Sequence, residues 1–213
     1  MLPSGQPKFR RRKAERPSEI IDAALAVFAE KGFAAAKLDE IAARAGVSKG
    51  ALYLYFATKQ DLFRAVVEQA IAPNLHLIRT AIAAHPGPIS DLLRLIAGRL
   101  AEVVERLPVG GVVKMVIGEA RNFPELARVW HDELVAQALD AMTDAIRAAQ
   151  ARGEVRPGDP RAYAVQFVAP MLVGVIWRET FVPVGARPFD LPALMRQHIE
   201  TLLTGLLTEE AHA

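Results

Sequence analysis

Residues 46–56 read GVSKGALYLYF: one cation among small residues, then two tyrosines and a phenylalanine. A core helix is more uniformly apolar than this, and a surface helix more charged. Ser48 is a good N-cap, so the helix it starts presents unpaired amides and a partial positive charge, which suit a phosphate oxygen. Lys49 adds a full charge at that end, and Lys59 another nearby. Gly50 and Ala51 leave the leading edge bare, so the backbone can approach a partner closely. Behind it, Tyr53 and Tyr55 offer hydroxyls on apolar rings, while Leu52 and Phe56 read as core.

Such a helix needs a scaffold. Ile21, Ala24, Leu25 and Phe28 recur at helical spacing and end at Lys31-Gly32. A short helix follows over 38–45, with Leu38, Ile41, Ala42 and Ala45 on one face. Gly46 breaks it, and the helix after Ser48 runs to about Tyr55. Thr58-Lys59-Gln60-Asp61 reads as a capping box that opens a longer helix, which Pro73 should kink before it resumes to about Ala84. Helices are expected over 89–106, 110–121, 124–151, 160–181 and 190–207, with no sustained alternation and no internal repeat. The fold class is therefore all-α: a three-helix helix-turn-helix head and a bundle of about six helices behind it.

The bounds of the whole chain agree. The 213 residues are 52% hydrophobic and 23% charged, enough for a sizeable core. With no cysteine there is no disulfide, thiolate metal site or cysteine nucleophile, which fits a reducing cytoplasm. The N-terminus has cations but no apolar run after them, so it is not a secretory signal. The 16 uncharged residues between Arg161 and Arg178 are short for a membrane span and read as a buried helix, so no membrane partner is expected. Residues 1–64 hold twelve Lys/Arg against seven Asp/Glu, and the remainder fourteen against seventeen. A basic end on a mildly acidic body suggests an anionic partner at that end. Residues 1–16 are expected as a flexible basic arm; its RRRK at 10–13 reads as a solvated tail or as an arm for an adjacent minor groove.

Helix, short helix, glycine turn and short helix is the layout of a helix-turn-helix DNA reader. Gly32-Phe33 and the run from Leu38 through LDEIAARAGVSKGALYLYFATKQDLF to Phe63 resemble the DNA-binding domain of the tetracycline-repressor (TetR) family over about residues 17–64. The resemblance implies a homodimeric, ligand-responsive transcriptional regulator in which residues 65–213 form a ligand-sensing and dimerisation domain. It implies double-stranded DNA with a palindromic operator as one partner and a small-molecule effector as another. Val47 to Tyr55 then corresponds to the recognition helix. Ser48, Tyr53, Tyr55 and Lys59 match backbone-contacting positions, and Lys49, Gly50 and Ala51 form the edge nearest the bases. One departure stands out: the family's Thr-Thr pair before the second helix is Ala36-Lys37 here, and Lys37 either supplies a phosphate contact or is solvated.

The body should join two heads and sense a molecule. The final helix carries a wide apolar stripe including Leu194, Met195, His198 and Leu202; the preceding one offers Phe167, Met171, Gly174 and Val175. Together they suggest a four-helix dimer interface, as the family uses, unless the stripe only closes the chain's own core. Candidate cavity residues are His76, Met115, Arg121, Phe123, Trp130, His131, Met142, Met171 and Trp177, because methionines and aromatics adapt to apolar ligands. The stretch 113–128 with 151–156 resembles the C-terminal domain of AefR-like regulators, which implies a repressor tied to efflux or envelope stress.

Other classes fare worse. Neither Gly-x-x-x-x-Gly-Lys-Ser/Thr nor Gly-x-Gly-x-x-Gly occurs. The one Glu-x-x-His pair, Glu209 to His212, lies in the tail, and the five histidines have no metal-ligand spacing. No catalytic residue, metal or cofactor is expected. A non-specific nucleoid-type protein would share the basic head but would not need a large apolar body.

Overall fold

The computed structural model describes residues 8–212, with side chains from 17 to 211. The head comprises α1 (Lys8–Ala35), α2 (Leu38–Arg44) and α3 (Lys49–Tyr53), with α4 (Lys59–Val66) leading out of it. Residues 8–16, expected as part of a flexible arm, belong to α1, which carries Pro17 within it. Residues 1–7 lie outside the described residues. At Gly32 the backbone adopts φ 79°, ψ 171°, a left-handed value that favours glycine, and α1 kinks there. Gly46 takes φ 67° in the turn between α2 and α3.

Local chemistry sets these boundaries. Ser48 accepts the Ala51 N–H at 3.1 Å and caps α3. Thr58 and Asp61 form the expected capping box, each side chain accepting the other's backbone N–H at 3.0 Å. The N-cap position of α2 falls on Lys37, whose side chain makes no cap; Asp39 and Glu40 in the first turn offset this by facing the positive end of the helix.

Behind the head stand α5 (Ala72–Ala84), α6 (Ile89–Arg106), α7 (Val109–Glu119), α8 (Pro124–Trp130), α9 (Ala136–Ala151), α10 (Pro160–Thr180), α11 (Leu191–Leu206) and the short α12 (Glu209–His212). The expected kink at Pro73 is instead a π-helical turn at Val67–Ile71 that joins α4 to α5. Proline has no N–H for the carbonyl four residues back, and its ring crowds that carbonyl; a widened turn just before it accommodates both. A second π turn, His131–Val135, joins α8 to α9 and packs against the first. Apart from an isolated bridge between Val155 and Leu207, the described residues contain no strand.

Two cores result. The first takes Phe28, Phe33, Leu52 and Phe63 from the head together with Val112, Met115, Leu126 and Val129 from α7 and α8. It therefore crosses the boundary expected after residue 64. Close approach makes this possible: a Cβ on Gly111 would lie 2.7 Å from the Ala29 carbonyl, so α7 can lie against α1 only with glycine there. The second core gathers α5, α6 and α9 to α11 around Leu93, Ile96, Ile146, Phe167, Met195 and Ile199.

Candidate DNA-binding face and ligand cavity

On the head, Ser48, Lys49 and Gly50 are exposed, Val47 and Ala51 half-buried, and Leu52 fully buried. Tyr53 and Tyr55 retain 45% and 37% of their surface, while Leu54 between them retains 84%. An isolated apolar side chain so exposed beside two tyrosines was not singled out by the sequence, because leucine at helical spacing reads as core. The face is thus a short helix start with one ammonium, a bare edge and a protruding apolar corner.

Charges around it are already partnered. Lys49 Nζ lies 2.8 Å and 3.0 Å from the two carboxylate oxygens of Asp39 on α2, and this hydrogen bond raises the lysine's pKa. Arg44 pairs with Glu30 at 2.8 Å, which raises the Arg44 pKa and lowers that of Glu30. Lys37 is exposed.

Lys59, expected at a phosphate, has another task. Its ammonium donates to the carbonyls of Phe33 (2.5 Å), Ala34 (3.2 Å) and Ala36 (3.0 Å), and sits 4.5 Å from the centre of the Phe33 ring. Three donors meet three acceptors at the frayed end of α1. Desolvation lowers its pKa, against the opposing attraction of Glu119. To reach a phosphate it must release the carbonyls it holds.

In the body, α5, α6, α7, α9, α10 and the second π turn line a cavity of about 410 Å³. Of the expected lining residues, Trp130, Met142 and Met171 are there. His76 and Arg121 are exposed on the surface instead, and His131 is exposed with its ring against Asp132. Met115 is buried in the core under the head, and Phe123 stands edge-on to Phe33 at 5.1 Å. Trp177 packs on Phe181 and Phe189 and donates its indole N–H to the Arg187 carbonyl. These corrections share a cause: the lining is made chiefly of aliphatic side chains, such as Val113, Val116, Ile117, Leu134 and Val168, which no compositional signal separates from core. Among the described residues that line it, only Asn74 and Trp130 carry a side-chain nitrogen or oxygen. Asn74 donates its amide hydrogens to the Ala70 and Ile71 carbonyls, which leaves its oxygen as an acceptor. Among the described residues, no charged group lines this space.

Residues 20–66 match the family described as bacterial regulatory proteins, tetR family, and residues 91–204 match the AefR-like transcriptional repressor C-terminal domain. The chain belongs to the TetR family. Its curated relatives include the transcriptional repressor BepR of Brucella suis, 32% identical over 63% of this chain and 81% of BepR. The regulator YfiR of Bacillus subtilis is 27% identical over 77% of this chain and 80% of YfiR. Among solved structures, a TetR-family regulator from Mesorhizobium loti superposes with TM-score 0.73 at 25% identity, covering 92% of this chain and 99% of the other. SmeT in complex with triclosan shares the fold at TM-score 0.72 and 24% identity, covering 92% of this chain and 93% of SmeT. SmeT is the repressor of a multidrug efflux pump in Stenotrophomonas maltophilia.

In this TetR-family chain, the residues expected at a dimer interface divide between the chain's own core and the half-buried surface of the last two long helices. Phe167, Met171, Gly174 and Met195 are buried within the chain itself, and a Cβ on Gly174 would lie 2.4 Å from Leu191. Leu194, His198 and Leu202 are half-buried, and His198 Nε2 lies 3.0 Å from the Gln166 carbonyl. Of the exposed apolar residues of α10, Val165 and Leu172 also line the cavity, and Val173 stands clear of it. That helix passes the length and composition test for crossing a membrane, yet its other face closes the bundle core. A second hollow, about 500 Å³ and more open, lies between residues 85–90 and Arg152, Glu154, Leu207 and Ala211. Its acid and base are paired with each other, and Glu154 also accepts the Ile89 N–H at 2.7 Å.

Proposed function

We propose that this chain is a homodimeric repressor that binds a palindromic operator through α3 and leaves it when a neutral, predominantly apolar small molecule enters the body cavity. The observation that carries the ligand class is the cavity lining, with one amide, one indole and no charge. A carboxylate, phosphate or ammonium buried there would lack any compensating group, and unpaired burial of a charge is prohibitive. A molecule with an apolar body and a single hydroxyl matches both groups, donating to the Asn74 oxygen and accepting from the Trp130 N–H. Support comes also from SmeT, which holds triclosan in the same fold. The FadR regulator of Bacillus subtilis, 21% identical with TM-score 0.72 over 88% of this chain and 98% of its own, was solved with stearoyl-CoA.

On DNA, Ser48 and the α3 amides, Lys49, Tyr53, Tyr55 and Lys37 hold phosphates, and Gly50 and Ala51 let the helix reach the groove floor, with Val47 packing it on the head. Few long polar side chains reach base edges, so specificity rests on Lys49, on apolar contact with thymine methyls and on DNA shape. Dimerisation proceeds through the outward faces of α10 and α11, around Val173, Leu194, His198 and Leu202, and places two heads on half-sites. The protein acts in the cytoplasm, where its DNA is. Near-complete release requires the effector to prefer the non-binding form by about 5 kcal/mol.

The test begins with selection of bound fragments from the native genome, then measures operator affinity with triclosan, 1-dodecanol and dodecanoate as probes. The neutral probes should weaken operator binding and the carboxylate should not. If dodecanoate alone acts, the ligand class is wrong; if random DNA competes as well as the selected fragment, the protein is a nucleoid-type binder instead.

A further inference from the structure

The dipeptide Phe33-Ala34, just after the kink at Gly32, is held from two directions. Both of its N–H groups donate to a single carboxylate: Phe33 to Glu119 Oε1 at 2.8 Å and Ala34 to Oε2 at 2.7 Å. Both of its carbonyls accept from Lys59. The Phe33 ring is fully buried among Phe28, Phe63 and Phe123, at 5.6, 6.2 and 5.1 Å between ring centres. Glu119 belongs to the body and Lys59 to α4, so one short turn carries the join between head, α4 and α7.

Glu119 stands where a carboxylate is locally unfavourable, at the negative C-terminal end of α7. Its position is explained by the two amides it receives. It also follows directly on Val113, Val116 and Ile117, which line the cavity from the same helix. Space is tight as well: a Cβ on Gly32 would lie 2.4 Å from Glu119 Oε1, so any side chain there would push the carboxylate off the two amides it receives.

We propose that Glu119 is the positioning residue that fixes the head on the body, and that it transmits displacement of the cavity wall to the recognition helix. Two parallel charge-assisted bonds define both a distance and an orientation, which a single bond does not. A shift of α7 must therefore carry the Phe33-Ala34 turn with it or break both bonds together. Because α2 begins at Leu38, only three residues after α1 ends, movement of that turn reorients α2 and α3. The transmission clause rests on the cavity being the effector site; the positioning clause does not.

The experiment uses the full-length chain without ligand. Because the chain has no cysteine, Ala43→Cys on exposed α2 and Ala148→Cys on exposed α9 give two unique spin-label sites. Labelled chain is diluted with unlabelled chain, and the head-to-body distance distribution is compared in the parent, E119A and E119Q. The parent should give one narrow distance. E119A should broaden it about twofold or more, and E119Q, with one acceptor oxygen left, should fall between them. In parallel, preference for the native operator spacer over spacers one base pair longer or shorter should drop by about tenfold in E119A, a loss that lowered stability alone does not cause. Unchanged width and unchanged spacer preference overturn the proposal. Should E119A fail to fold, E119Q decides alone: intermediate width supports it, parental width sinks it. Since no effector is present, a failure of ligand sensing leaves this result untouched.

Discussion

Lys49 and Asp39 face each other across the helix-turn-helix corner, Nζ to Oδ1 at 2.8 Å, so the cation at the start of α3 is matched by an acid on α2. Both groups are largely exposed, and an exposed pair of this kind is weakly held and readily exchanged for another anion. If Lys49 turns to a phosphate on DNA, as proposed, Asp39 is left near that phosphate. Asp39→Asn should therefore tighten operator binding about threefold or more at low salt, with the gain fading as salt is raised. Fluorescence anisotropy titrations over a salt series measure this; equal or weaker binding by the variant would show that Asp39 serves to aim Lys49.

Lys59 gives the opposite expectation. Replacing it with methionine leaves the carbonyls of Phe33, Ala34 and Ala36 without their shared donor, and should destabilise the chain by about 1–3 kcal/mol. Denaturant unfolding reports the loss. If stability is unchanged and only the salt slope of DNA binding falls by about 0.9, the ammonium is a phosphate contact after all.

The cavity is open to a filling substitution. Val168→Trp adds an indole to an apolar space, so its cost in stability should stay under about 3 kcal/mol. Operator affinity should be retained while release by 1-dodecanol or triclosan is lost. Retained release in a variant shown by calorimetry to be folded would move the effector site elsewhere.

Glu154 carries a pH dependence. The hydrogen bond from Arg152, helped by the Ile89 N–H, holds its pKa below the ordinary glutamate value. A carboxylate depressed in the folded state contributes stability above its unfolded pKa, and that contribution is lost as pH falls through the folded one. Glu154→Gln should thus be less stable than the parent near neutrality, with the difference shrinking as pH falls below about 4.5 and through the depressed folded value. Thermal melts across that range provide the check; a gap that persists in acid assigns the effect to packing.

How much was legible depends on the kind of interaction. Ser48 as a cap, Thr58 with Asp61 as a capping box and Gly46 as a turn are contacts among residues two to five apart, and their geometry follows from residue type and spacing alone. The helix periods, the family motif over about residues 17–64 and the all-α class belong to the same local grammar. What only the tertiary structure decided joins distant residues: Glu119 to Phe33 across 86 positions, Lys59 to the end of α1, and the aliphatic walls from five helices that enclose the cavity. A carboxylate and an ammonium look alike in sequence whether they face water, phosphate or a backbone amide. A valine looks alike whether it borders a core or a cavity. Residue type sets what each group can bond to, and the packing of α7 against α1 sets which partner comes within reach.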